Sequence, residues 1–150
     1  MIKPQLHYYA TDSRITAFSS TRHGGVSEGC YAEFNINEYC GDTPDHVRAN
    51  RSALCDELGI SEKSLVVPHQ VHGTEVRHIG REFVTLPENI RRMLIEGVDA
   101  VMTDVPGVCV GVSTADCIPV LLHDPVHHAV CAVHAGWRGT VQRIVPKAMA

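Results

Sequence analysis

The sequence predicts an α/β fold, α+β in the segregation of its elements: one domain over residues 1–150 with a mixed β-sheet flanked by helices. Four short apolar runs carry most of that expectation, Ala100 to Thr103, Val108 to Ser113, Ile118 to His123 and Ala129 to His134. Each is rich in Val, Ile, Leu or Cys and is bounded by turn formers such as Val105-Pro106-Gly107 and Asp124-Pro125, the pattern of buried strands. A second observation is a well-marked helix start at Thr43-Pro44, and a third is composition. A chain of 150 residues with 44% apolar and 20% charged residues holds a substantial single core.

The same composition excludes several roles. The net charge is -4 with histidines neutral, and no run of Lys or Arg occurs, so there is no electrostatic footprint for nucleic acid or for an anionic membrane surface. No segment approaches the roughly 18 apolar residues that span a bilayer, and Met1 to His7 lacks the apolar centre of a secretion signal. A cytoplasmic protein is expected. Six cysteines (Cys30, Cys40, Cys55, Cys109, Cys117 and Cys131) follow no small secreted framework and form no C-x-x-C pair. Reduced thiols follow, and a four-cysteine structural zinc site does not.

Taken in order, residues 8 to 21 contain one or two strands, with Ile15 to Ser19 the clearer by alternation. They run into Arg22-His23-Gly24-Gly25, where the glycine pair permits a tight turn or a close backbone approach to a ligand and Arg22 offers a positive fork. The alternative is an exposed turn with a solvated arginine. A helix over 44 to 58 follows, with Thr43 as N-cap, Pro44 at N1, Asp45 in the first turn, Val47, Leu54 and Leu58 on one face and Gly59 as its stop. Asn50 and Arg51 within it read as structural hydrogen-bonders. Leu65-Val66-Val67 is a strand ending at Pro68-His69-Gln70-Val71-His72-Gly73, in which one of two histidines need face a cleft. Thr74 to Ile79 resumes a strand, and residues 87 to 95 form a short amphipathic helix.

Polar residues gather where the apolar runs end. Thr114-Ala115-Asp116-Cys117 precedes the third run, and His134-Ala135-Gly136-Trp137-Arg138 closes the fourth. Side chains at strand ends are held rigidly yet reach a common cleft, so a metal site centred on Cys117 and His134 is expected. Gly136 to Gly139 reads as a sharp turn into a helix from residue 138 onward, whose free N–H groups beside Arg138 suit phosphate, and Pro146 should kink or delay that helix. The other reading of Arg138 is a structural ion pair at the sheet edge.

Three segments together, Val66 to Gly73, Thr114 to Cys117 and His134 to Gly139, resemble the YfiH family of laccase-domain proteins. Supporting matches are Ser20 to Ser27, Phe34-Asn35-Ile36-Asn37, Gly41-Asp42 and Asn50-Arg51. The resemblance implies a purine nucleoside phosphorylase that cleaves adenosine, inosine and S-methyl-5'-thioadenosine with phosphate to free base and ribose 1-phosphate, with a zinc-dependent adenosine deaminase side activity. It places the zinc ligands on His72, Cys117 and His134 and implies a further C-terminal third in family members. The partners it implies are a small purine nucleoside and phosphate, with self-association left open.

Two imidazoles and one thiolate leave a fourth position of zinc open, the pattern of a catalytic ion. Zinc brings the pKa of bound water to about 7, and a carboxylate must then move protons: Asp116 is nearest in sequence, with Asp99 and Asp104 as alternatives. Phosphorolysis needs phosphate held against the ribose anomeric carbon, for which Arg138 and Arg22 are the candidates. The older polyphenol-oxidase reading would require several coppers held largely by His-x-His pairs, and none of the 10 histidines forms such a pair. Soft donors would still accept a single copper ion. A non-catalytic metal-binding or partner-binding module is the remaining alternative.

Overall fold

The computed structural model describes all 150 residues and shows the expected mixed α/β architecture. Its contacts group into two compact units, residues 1–62 and 63–150.

The first unit pairs β1 (Leu6–Tyr9) with β2 (Ala17–Ser20) in an antiparallel ribbon and carries α1 (Pro44–Leu58). Pro44 fixes its own φ at the first helical position, where its missing N–H costs nothing, and Gly59 ends the helix in the left-handed region at φ 68°. Thr43 is the N-cap by position, although its hydroxyl makes no capping bond. Val47 and Leu54 face inward from one side of α1, together with Cys55 and the fully buried Asn50. The Asn50 carboxamide ties the preceding loops together: its oxygen accepts from the Val26 N–H at 3.0 Å, and its nitrogen donates to Ser27 Oγ at 3.0 Å and to the Asn35 carbonyl at 2.9 Å. Gly25 is required beside it, because a Cβ there would lie 2.6 Å from both Asn50 Oδ1 and Phe34 Cα. The glycine pair therefore admits neighbouring backbone at close range.

The second unit is built on a four-stranded sheet in the order β4 (Val76–His78), β5 (Ala100–Thr103), β8 (Ala129–Ala135), β7 (Ile118–Asp124). β4 and β5 run parallel, and β5 and β7 both run antiparallel to β8 between them. Three of the four apolar runs thus share a sheet. The fourth departs from expectation: of Val108 to Ser113 only β6 (Cys109–Val110) is a strand, and it pairs in parallel with β3 (Leu65–Val66). The ladder stops because Gln70 takes a strand's place, its carboxamide donating to the Ser113 carbonyl and accepting from the Ser113 N–H, both at 2.7 Å. β7 also differs from a buried strand. It is one of the sheet's two edge strands, with a neighbour on one side only, and Ile118 and Leu121 remain exposed while Val120 and Leu122 pack inward.

α2 (Glu88–Leu94) lies within the expected 87–95 range, and Leu94 joins Val66, Ile79, Phe83 and Ile95 in one apolar cluster. The C-terminal helix is two pieces, α3 (Trp137–Val141) and α4 (Ile144–Met149). They break at Arg143, which adopts φ 67°, and Pro146 falls in the first turn of α4, where a missing N–H is tolerated. Ile144 and Ala148 of α4 cover Ala100, Cys131, Val133 and Ala135 of the sheet.

Asn50→Ala should destabilise the protein by about 1–3 kcal/mol, since it removes the fully buried Asn50 carboxamide and strands the half-buried Val26 N–H and Asn35 carbonyl. The urea unfolding midpoint measures this, and an unchanged midpoint would contradict the role given to Asn50.

Candidate metal centre

Sheet register alone brings the chemistry-bearing residues to one end of the second unit. β8 runs toward its C-terminal residues His134 and Ala135, and β7, antiparallel to it, begins there, with Ile118 opposite Ala135 and Pro119 opposite His134. β5 begins at the same end, with Ala100 opposite Val133, and β4 begins beside β5, with Val76 opposite Ala100. The residues just outside these strand ends are Cys117 before β7, Asp99 before β5 and His72 in the loop before β4. Segments distant in sequence meet here because β4, β5 and β7 all start where β8 finishes.

The ligand atoms of His72, Cys117 and His134 lie within 4.8 Å of one another. Tetrahedral zinc with bonds of about 2.0–2.3 Å holds such donors roughly 3.3–3.6 Å apart, within reach of small side-chain rotations. The two imidazoles meet edge to face at 4.9 Å between ring centroids. His134 is buried, Cys117 half-buried and His72 exposed, so the group is anchored on its inner side and open on its outer side. The space between the three is kept by a glycine: a Cβ on Gly136 would sit 3.0 Å from His72 Cδ2, 3.2 Å from Cys117 Sγ and 3.8 Å from His134 Cε1. Donor type, convergence and this reserved gap fit a metal ion, and the set of one soft thiolate and two imidazoles suits zinc or copper.

The surroundings hold the donors in place. Asp99 is fully buried and accepts from His134 Nδ1 at 2.7 Å. It also accepts from three successive backbone N–H groups, Val71 (2.9 Å), His72 (2.9 Å) and Gly73 (3.0 Å). Burial pushes the Asp99 carboxyl upward, but the hydrogen bonds from His134, Val71 and Gly73 outweigh it and hold the group below the usual carboxylate range. The His72 turn has an unusual backbone, with φ 62° at a non-glycine residue. Gly139 of α3 lets the helix approach this turn, since a Cβ there would stand 2.8 Å from the Gly73 carbonyl.

The other residues singled out in the sequence divide clearly. His69 is engaged elsewhere, its Nδ1 2.7 Å from Glu96 Oε1, which leaves His72 as the histidine of this loop that joins the group. Asp104 lies past the far end of β5 and meets His78 at 3.0 Å. Asp116 is exposed in the loop immediately before Cys117. Arg138 is exposed on α3 with its guanidinium carbon 5.3 Å from the Trp137 ring centroid, a cation–π contact in place of the ion pair considered from sequence. α3 has only five residues, too short for the strong helix-terminus field expected after Gly136. Arg22 belongs to the first unit, where its Nε and Nη2 both donate to the Ala32 carbonyl, at 3.1 and 2.9 Å. Sequence reasoning missed the anchoring part of Asp99 and the spacing part of Gly136. A charged residue inside the apolar run Val98 to Val101 was the available signal for Asp99.

Residues 16–150 match the family model described as multi-copper polyphenol oxidoreductase laccase. The chain belongs to this laccase-domain (YfiH) family. It is 45% identical over 133 residues to a purine nucleoside phosphorylase of Bacteroides thetaiotaomicron, covering 89% of this chain and 49% of that protein. It is 39% identical over 130 residues to adenosine deaminase RL5 from an unknown prokaryotic organism, covering 87% of this chain and 50% of that protein. The crystal structure of YlmD from Geobacillus stearothermophilus superposes with a TM-score of 0.80 at 31% identity, over 90% of this chain and 50% of the other. The chain thus spans about half the length of the curated relatives it matches. No helix of the laccase-domain chain is long and apolar enough to cross a membrane, and none of the six cysteines is in a disulfide.

Gly136→Ala should lower metal occupancy while leaving the thermal midpoint within a few degrees, because the added methyl enters the space between donors. Bound metal per chain after dialysis reads the first quantity; full occupancy in the variant would show that Gly136 does not keep that space.

Proposed function

We propose that this laccase-domain chain carries the metal-holding part of a purine nucleoside phosphorylase acting on adenosine, inosine and S-methyl-5'-thioadenosine, with adenosine deamination as a second activity. The observation that carries the reading is the convergence of His72, Cys117 and His134, with donor atoms within 4.8 Å, around the gap that Gly136 leaves. The phosphorylase and deaminase names of relatives at 45% and 39% identity support it.

In this reading His72, Cys117 and His134 hold zinc, with copper the less fitting occupant. The ion supplies Lewis acidity and a nucleophilic oxygen at neutral pH when bound. Phosphorolysis breaks the C1'–N9 bond of the nucleoside and forms a C1'–O bond to phosphate, while the departing purine takes up a proton. Arg138, exposed and stacked on Trp137, binds and orients phosphate through its planar fork. Asp116, exposed beside Cys117, exchanges protons with the purine or with water. Arg22 is a second phosphate-binding candidate, using the guanidinium face that the Ala32 carbonyl leaves free. We place the protein in the cytoplasm, where its nucleoside and phosphate partners are found and thiols stay reduced.

With zinc supplied, inosine and phosphate should give hypoxanthine, and inosine alone should not. His72→Ala and Cys117→Ser should each lower the rate by more than about 100-fold together with the metal content. Hypoxanthine without phosphate would make the protein a hydrolase, and stoichiometric zinc with no product would favour the binding-module reading. Arg138→Ala should raise the KM for phosphate by about tenfold or more at similar zinc content; an unchanged KM and rate would remove Arg138 from the reaction.

A further inference from the structure

Every acceptor position of Asp99 is in use. A carboxylate offers about four lone-pair sites, and four N–H groups occupy them: Val71 and Gly73 on Oδ1, His72 and His134 Nδ1 on Oδ2. The side chain is fully buried. Three of those donors are backbone amides whose roles cannot reverse, so the one position at which Asp99 could carry a proton faces His134 Nδ1. A carboxylate gathering three N–H donors favours the acceptor role there too, so we take the His134 contact to run from Nδ1–H to Oδ2.

We propose that Asp99 is the positioning residue of the centre, acting on two of its three donors at once. By accepting from His134 Nδ1 it fixes the tautomer that leaves Nε2 unprotonated and directed at the gap shared with His72 and Cys117. By gathering the Val71, His72 and Gly73 amides it holds the turn that places His72 at φ 62°. The residue therefore does not serve as a proton carrier, which leaves that work to groups on the open side. This inference rests on the reading of His72, Cys117 and His134 as metal ligands, and extends it to how the ligand set is prepared before any ion arrives.

Asp99→Asn tests it, because an amide cannot satisfy the arrangement in either orientation. With its oxygen toward Val71 and Gly73, its NH2 faces His134 and drives the ring to the Nε2–H form. With its oxygen toward His134, its NH2 opposes the Val71 and Gly73 amides and loosens the turn. Long-range 1H–15N spectra of the metal-free wild-type protein should show a protonated Nδ1 and a bare Nε2 on His134, and the Val71, His72 and Gly73 amides should exchange slowly. The variant should lose one of these two signatures and bind zinc about 10–100-fold more weakly. A wild-type His134 protonated on Nε2 overturns the proposal without any variant, so the proposal stays testable should Asp99→Asn fail to fold. Equal zinc affinity in a folded variant also overturns it. Absence of zinc binding by the wild type would sink the ligand reading instead, and the tautomer signal, which needs no metal, tells the two failures apart.

Discussion

A buried carboxylate at the mouth of the sheet is the constraint around which the second unit is arranged. Placing an ionised group where water cannot reach it is costly unless every lone pair is matched, and Asp99 is matched by groups from two separate segments. The same residue belongs to the sheet through its own backbone, its N–H bonded to the Glu75 carbonyl at 3.0 Å and its carbonyl accepting from the His134 N–H at 2.7 Å. Moving β5 against β8 by one residue would therefore break the backbone ladder and the side-chain set together. Core apolar residues such as Val98, Val101 and Ala132, all essentially inaccessible to water, exclude solvent from one side of this charge. Packing and polar satisfaction support the same register, as expected of a site held on strands.

Absence of side chain is as important at this centre as the donors are. Gly136 and Gly139 both have φ in the ordinary range, so neither is present for backbone freedom. Each is small because something else needs the volume: the donor group in one case, the Gly73 carbonyl of the His72 turn in the other. The Gly-x-x-Gly spacing at the start of α3 thus presses the helix against the turn and keeps a side chain off the imidazoles and the sulfur. The three donors, exposed on the His72 side, are where an ion with an exchangeable fourth position would sit.

How much of this was legible in the sequence depends on how local the controlling physics is. β7, β8 and α1 were legible because turn formers and caps that set their limits lie within a few residues. Asn50 and Arg51 were readable as structural groups because polar side chains on a helix interior have few other uses; Asn50 is indeed fully buried and Arg51 lies 3.7 Å from Glu38. The shortening of Val108–Ser113 was not legible, since it depends on Gln70, more than forty residues away, imitating a neighbouring strand. The exposure of β7 depends on its being outermost, and strand order leaves no mark in a single sequence. The helix break at Arg143 was half legible: Pro146 announced a disruption, but the left-handed residue that makes it lies three positions earlier. The ligand set came from family resemblance; spacing alone could not choose between His69 and His72, and the choice follows from Glu96 occupying His69.

The family's description as multi-copper speaks of several coppers, whereas this chain offers one candidate cluster of three donors. Softness of the donors does not decide between zinc and copper, because thiolate and imidazole serve both. Geometry is more telling. A redox copper centre works best when its donors resist rearrangement between oxidation states, and here one donor is an exposed histidine on a loop while the other two sit at strand ends. Electron transfer would also call for further copper sites, which usually place histidines one residue apart so that neighbouring strand positions address neighbouring ions; His127 and His128 are adjacent and lie at the opposite end of β7 and β8 from the cluster. A single cluster of three donors, open on one side, suits an ion that would polarise a bound group better than a relay of coppers, and this favours the hydrolytic and phosphorolytic readings proposed above over the oxidase reading.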